Sequence, residues 1–151
     1  MLLSDLLSID RVMPDVRANS KKRLLEVISE ELVRNDESLN GREIFESLCA
    51  RERLGSTGLG NGVAIPHGRV SHNPTVQAIF VKLSKPLPYD SQDGKPVDLL
   101  FAMVVPENCT SEHLKLLSQV AEKFSDPELL SKVRNAKEPA EMLELLSGTQ
   151  H

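Results

Sequence analysis

The stretch that most limits how this chain can fold is VDLLFAMVV, Val97 to Val105, which holds a single charge and stops at Pro106. A strand with one face in water alternates apolar and polar residues, whereas one this uniformly apolar is covered on both faces. It predicts a central strand with a layer packed on each side. Thr75 to Leu83 (TVQAIFVKL), rich in β-branched residues and bounded by Asn73-Pro74 and Lys85-Pro86, reads as a second strand.

Helical spacing supplies the covering layers. Ser20 or Asn19 can cap a helix whose residues Leu24, Leu25, Ile28 and Leu32 recur at steps of three and four, to about Val33. Asn40 followed by Glu43 has the form of a capping box, and Ile44, Phe45 and Leu48 continue a second helix to about Arg53, with Gly55 as its stop. Beyond the apolar strand, Thr110 can cap a helix with Leu114, Leu117, Ala121 and Phe124 on one face. Asp126-Pro127 restarts the chain as cap and first helical position, and Pro139 opens a last helix through Leu146. The order predicts an α+β fold, a three-layer α/β/α sandwich in which helices flank a small mixed β-sheet, with residues 1–151 forming one domain.

Charge and cysteine usage narrow the function. A net charge of −4 without a run of Lys or Arg excludes a duplex nucleic-acid binder, which needs a basic stripe to neutralise phosphates. The two cysteines, Cys49 and Cys109, have no metal-ligand or CxxC spacing and are expected to be reduced and buried, which suits the cytoplasm. The start MLLSDLLSIDRV lacks a basic leader and is broken by Ser4 and Asp5, and no stretch approaches the roughly 20 apolar residues of a spanning helix. Neither signal peptide nor membrane insertion is expected.

Five of the eight glycines lie between Gly55 and Gly68, in GSTGLGNGVAIPHG. Such a cluster costs stability unless the loop needs positive φ or an open backbone, and successive small residues can turn N–H groups toward one anion. The expected phosphate-binding positions are Ser56, Thr57, Gly58, Gly60 and Gly62, although the two hydroxyls equally suit capping and turning of the chain. GxxxxGK[ST] is absent, and Gly58 to Gly62 do not form GxGxxG at the start of a helix.

His67 closes this loop between Pro66 and Gly68 and is the reactive candidate, since imidazole is a nucleophile near neutral pH. Gly68 is expected to leave space beside the ring. His113 falls in the first turn of its helix beside the apolar stripe, where the helix dipole favours a neutral ring that either serves an incoming phosphate or only packs. Arg51 ends the second helix and either steadies a phosphate or complements the helix dipole, with Arg53 and Arg69 competing for both roles. His72, in a polar turn, and His151, at the chain end, have weaker claims. The histidines lack HxxxH or HExxH spacing, so no metal or other cofactor is implied.

RERLGSTGLGNGVAIPHG, residues 51 to 68, resembles the active-site signature of the IIA domains of the fructose/mannitol class of the phosphoenolpyruvate-dependent phosphotransferase system. EHLKLLSQVAEKFSD, VDLLFAMVVPE and SKKRLLEVISEEL extend the likeness to nearly the whole chain, which is most similar to the nitrogen-regulatory branch. The resemblance implies that His67 is phosphorylated through Nε2 by a phosphorylated HPr-like histidine carrier, that His113 orients or stabilises the phosphoryl group, and that Arg51 lies near it. It implies a histidine phosphocarrier acting as a phosphorylation-dependent regulator, with potassium-transport or sensor-kinase proteins among its targets. The alternatives are a sugar-specific IIA subunit that passes phosphate to a IIB partner, and a regulatory module that only binds.

Overall fold

A computed structural model of the chain describes residues 5–34, 36–71, 75–108 and 111–148. The expectations for His72, Asn73-Pro74, Cys109, Thr110 and His151 fall outside these residues. Among the described residues five α-helices and six strands follow in the order β1 (Val12–Val16), α1 (Lys21–Arg34), α2 (Gly41–Arg53), β2 (Gly58–Gly60), β3 (Val63–Ala64), β4 (His67–Val70), β5 (Gln77–Leu87), β6 (Val97–Pro106), α3 (Ser111–Lys123), α4 (Pro127–Asn135) and α5 (Pro139–Ser147).

The strands form one mixed sheet of order β1-β5-β6-β3-β2, with β4 also paired to β6. β6 is central, as its apolar run requires. Leu99, Phe101, Met103 and Val105 face a core shared with α3, α4 and α5, while Leu100, Ala102 and Val104 face a second core under α1 and α2. The three-layer arrangement is therefore present. Phe124 at the end of α3 anchors the first core, stacked on Phe80 at 6.0 Å between ring centroids and tilted against Phe101 at 5.6 Å.

Helix starts follow the local chemistry. Ser20 Oγ accepts from the Arg23 N–H, Asn40 Oδ1 from the Glu43 N–H and Asp126 Oδ1 from the Glu128 N–H, each satisfying a first-turn donor. The Glu43 carboxylate reaches the Ser71 N–H at 3.2 Å, tying the start of α2 to the chain after β4.

Three points about the elements differ from expectation. β1 is an unexpected strand, because Pro14 and Asp15 break its apolar pattern; it lies at the sheet edge, where a proline is tolerated. β5 runs on through Pro86 to Leu87, and its pairing with β6 slips between Lys82 and Leu87, which accommodates the missing N–H. On α3 the buried line is Leu116, Val120 and Phe124, while Leu114 is 56% exposed.

β4 lies on the same edge of β6 as β3, with His67 beside Met103 and Val63 beside Leu99, both in parallel register. Paired residues share a face, so His67 lies on the α3 side of the sheet, and Gly68 and Val70 turn to α2. A Cβ on Gly68 would lie 2.2 Å from Ser47 Oγ and 3.1 Å from the Ser47 carbonyl carbon. The missing side chain thus makes room for α2, and not for the imidazole. Gly68→Ala is expected to cost about 1–3 kcal/mol through displacement of α2. Gly41→Ala, whose Cβ would meet only Val33 methyls at 3.6 Å, should be neutral or slightly stabilising. Urea unfolding of the two variants against wild type measures the contrast.

Candidate active site

The glycine stretch folds as a hairpin. β2 and β3 pair antiparallel, and between Gly60 and Val63 the turn residues Asn61 and Gly62 have φ of 58° and 83°. Two positive φ values in Asn-Gly are the requirement of a two-residue hairpin turn whose twist matches its strands. A Cβ on Gly62 would also come within 2.7 Å of Asp98 Oδ1 and 2.4 Å of Arg134 Nη2. Arg134 ties the turn to β6, donating to the Asn61 carbonyl at 2.6 Å and to Asp98 at 2.8 Å. The glycine between strand residues serves packing as well: Gly58 abuts Ser91, whose Oγ would lie 2.1 Å from an added Cβ.

The loop hydroxyls have protein partners. Ser56 Oγ donates to the Tyr89 carbonyl at 2.9 Å and accepts the Gly58 N–H at 3.1 Å. Thr57 is 5% exposed and its hydroxyl donates to the Glu52 carboxylate. Along β6, Val63 and His67 are separated by four residues, about 13 Å of strand rise. Gly62 therefore belongs to the Asp98 end of the sheet, away from His67.

His67 opens β4. Its Nδ1 lies 2.9 Å from the Ile65 carbonyl oxygen, which can only accept, so Nδ1 carries the proton and the Nε2 lone pair is left for chemistry. The ring is half-buried, and burial holds its pKa below the ordinary histidine range. The bond to Ile65 opposes that shift, the Arg51 charge adds to it, and the Glu52 charge opposes it. Near neutral pH the ring is thus neutral, with a lone pair on Nε2.

Arg51, in the last turn of α2, donates from Nη1 to the Gly55 carbonyl at 2.8 Å, and its charge reaches His67. This one bond leaves other guanidinium N–H groups for an anion. The charges of Arg53 and Lys22 act instead on Cys49, which is half-buried, not buried as expected, and whose thiol burial pushes upward in pKa. Arg69 is exposed on β4 and its carbonyl accepts from Ser47. His113 is half-buried in the first turn of α3, the helix that covers the His67 side of the sheet. Among the described residues no three His, Cys, Asp or Glu side chains group as a metal site. None of the described helices is long and apolar enough to cross a membrane.

The residues that brace the loop, Glu52, Tyr89 and Lys21 at its start and Arg134 at the hairpin turn, went unpicked in the sequence. Only Asn61-Gly62 carried a local signal, the hairpin dipeptide. The others are joined by contacts across 31 to 73 positions, such as Lys21 to Glu52 and Asn61 to Arg134.

This fold with its strand-borne histidine defines a class. Residues 5–148 match the family described as phosphoenolpyruvate-dependent sugar phosphotransferase system, EIIA 2, and the chain belongs to that family. Within it the chain is similar to the nitrogen regulatory protein of Escherichia coli (strain K12), 41% identical over 98% of this chain and 91% of that protein. The nitrogen regulatory protein of Pseudomonas aeruginosa is 39% identical over 99% and 97%. The crystal structure of nitrogen regulatory protein IIA-Ntr from Neisseria meningitidis superposes with a TM-score of 0.89 at 40% identity, covering 95% of this chain and 98% of that one. The mannitol IIA of Escherichia coli, 19% identical with a TM-score of 0.75, covers 93% of this chain and 98% of its own and shares the fold.

An NMR titration of the His67 ring should have its midpoint below about 6.5, the ordinary histidine value. Arg51→Gln should move that midpoint up, because the cation that opposes protonation is gone. Since the folded ring resists a proton that the unfolded chain accepts, its contribution to stability is present above about pH 6.5 and is lost as pH falls below it. His67→Asn should flatten this part of a stability-versus-pH curve, and an unchanged curve would remove His67 as its source.

Proposed function

We propose that this protein is a histidine phosphocarrier of a nitrogen-related phosphotransferase system, taking phosphate on His67 Nε2 from a phosphorylated HPr-like carrier. The observation that carries the reading is the Ile65 bond, which holds the proton on Nδ1 and leaves the lone pair on Nε2. In the transfer, that lone pair attacks the phosphorus of the carrier's phosphoimidazole in line with the bond that breaks. The bonding electrons return to the carrier's ring, and one N–P bond replaces another without a proton transfer.

Arg51 stabilises the charge on the equatorial phosphate oxygens, and His113, reached from α3, orients or stabilises the same group. The Ile65 carbonyl offsets the positive charge that the ring acquires once Nε2 is bonded to phosphorus. The site assignment is confined to these three side chains, because Ser56 and Thr57 already have protein partners. The exposed leucines support docking of another protein: Leu54 follows Arg51, Leu59 lies in the hairpin and Leu114 adjoins His113, at 84%, 43% and 56% exposure.

The nitrogen regulatory relatives near 40% identity favour a regulator over a sugar-transport subunit. A mannosylglycerate-specific EIIABC component of Escherichia coli is 28% identical, and the chain spans 24% of its length. In the regulatory role, about −1.5 to −2 charges added beside an apolar docking face admit some partners and bar others. Potassium-transport and sensor-kinase proteins are the target classes this reading implies, with the cytoplasm as its place of action.

Incubation with phosphoenolpyruvate, the general phosphotransferase enzyme and an HPr-type carrier should add one acid-labile phosphate to wild type and none to His67→Ala. Arg51→Ala should slow transfer about 100-fold, the scale of losing one charge-stabilising donor. His113→Ala should slow transfer or shorten the phosphoprotein's lifetime, read by intact mass over time. No label on wild type from an active carrier would leave a module that only binds.

A further inference from the structure

The last turn of α2 carries a carboxylate for which the transfer chemistry has no direct use. The Glu52 side chain is 5% exposed, in ion pair with Lys21 of α1 at 2.9 Å. It also accepts from the Thr57 N–H at 3.2 Å, from the Tyr89 hydroxyl at 3.0 Å and from the Thr57 hydroxyl. Lys21 in turn lies over the Tyr89 ring, 4.2 Å from its centroid. A buried carboxylate served by a cation and three hydrogen bonds is held firmly, because loss of any partner leaves a buried charge short of a donor.

From this point a continuous line of hydrogen bonds runs to the imidazole. Glu52 grips Thr57 at both its N–H and its hydroxyl. The Thr57 carbonyl accepts from the Ile65 N–H at 3.1 Å. The Ile65 carbonyl accepts from His67 Nδ1 at 2.9 Å. The last bond spans only two residues, so whether it forms depends on where the Ile65 carbonyl points, and Thr57 fixes the preceding Ala64–Ile65 peptide, on the other side of the Ile65 Cα.

We propose that Glu52 is a positioning residue for phosphoryl transfer: by holding Thr57, and through it Ile65, it keeps His67 in the Nδ1–H tautomer with Nε2 presented to the phosphorus. The proposal rests on the reading of His67 as phosphate acceptor. Arg51 and Glu52 then divide the work of one helix turn. Arg51 holds the loop at the Gly55 carbonyl and faces the phosphate, while Glu52 holds it at Thr57 and sets the ring. Their charges also act on His67 in opposite directions, Arg51 against protonation and Glu52 in favour of it.

The test compares wild type with Glu52→Gln and Thr57→Val. One measurement is the imidazole nitrogen NMR spectrum of His67; the other is single-turnover transfer from a phosphorylated HPr-type carrier across a range of carrier concentrations. Glu52→Gln keeps the shape but loses the ion pair. It should turn a single Nδ1–H tautomer into a mixture and lower the limiting transfer rate about tenfold or more, the scale of a misaligned reacting group. The carrier concentration at half-maximal rate should stay unchanged. Thr57→Val keeps its N–H and carbonyl and should show a smaller fall in the same direction.

Cooperative thermal unfolding identifies the variants that fold. If Glu52→Gln does not, Thr57→Val and Tyr89→Phe carry the comparison. Folded variants with an unchanged tautomer and limiting rate overturn the proposal, as does an effect confined to the half-saturating carrier concentration, which makes Glu52 a docking residue. Wild type that takes up no phosphate overturns the acceptor reading together with this proposal. Normal transfer by wild type with an indifferent Glu52→Gln overturns the proposal alone.

Discussion

The pairing of β3 and β4 along one edge of β6 is the constraint from which the site follows. β6 is dry on both faces, so its peptide groups depend on neighbouring strands for their hydrogen bonds. β5 serves one edge, and the other is served first by β3 and then by β4, with the Pro66 carbonyl accepting from the Met103 N–H at 3.0 Å between them. His67 therefore stands on a strand bonded to the most buried element of the protein. A reactive group so mounted keeps its direction better than one on a free loop.

The second requirement is the close approach of α2. Gly68 lets the helix come down onto β4 at Ser47, and the Ser47 hydroxyl, donating to the Arg69 carbonyl at 2.8 Å, fastens it there. One turn further along, the helix ends beside the loop and presents Arg51 and Glu52 to it. Core packing and site geometry are consequently one arrangement: a shift of α2 moves the cation, the buried carboxylate and the loop together.

The electrostatic balance at His67 fits the proposed role of a carrier that must give phosphate up as readily as it accepts it. Burial and Arg51 keep the ring neutral, which leaves the Nε2 lone pair in place. The Ile65 carbonyl and Glu52 act the other way and temper the cost of the positive ring that follows bond formation. The ring is thus neither locked in its neutral form nor charged at rest near neutral pH.

Most elements were legible in the chain because their causes are local. Ser20, Asn40 and Asp126 announce helix starts, VDLLFAMVV announces a buried central strand, and GLGNGVAIPHG singles out His67. β1 escaped because its proline hides an edge strand whose pairing partner, β5, lies far along the chain, and the exposure of Leu114 escaped because spacing marks a helical stripe without saying where the core lies. The glycines were legible as a group with special backbone needs, but those needs are a hairpin turn at Asn61-Gly62 and contact with Ser91, Arg134 and Ser47. Sequence alone determined the layers, the family signature and the candidate histidine, all of which rest on residues near one another in the chain. The tertiary structure decided which ring nitrogen meets the Ile65 carbonyl, and it gathered Thr57, Lys21 and Tyr89 around Glu52, because those partners come together only when distant segments fold onto one buried carboxylate.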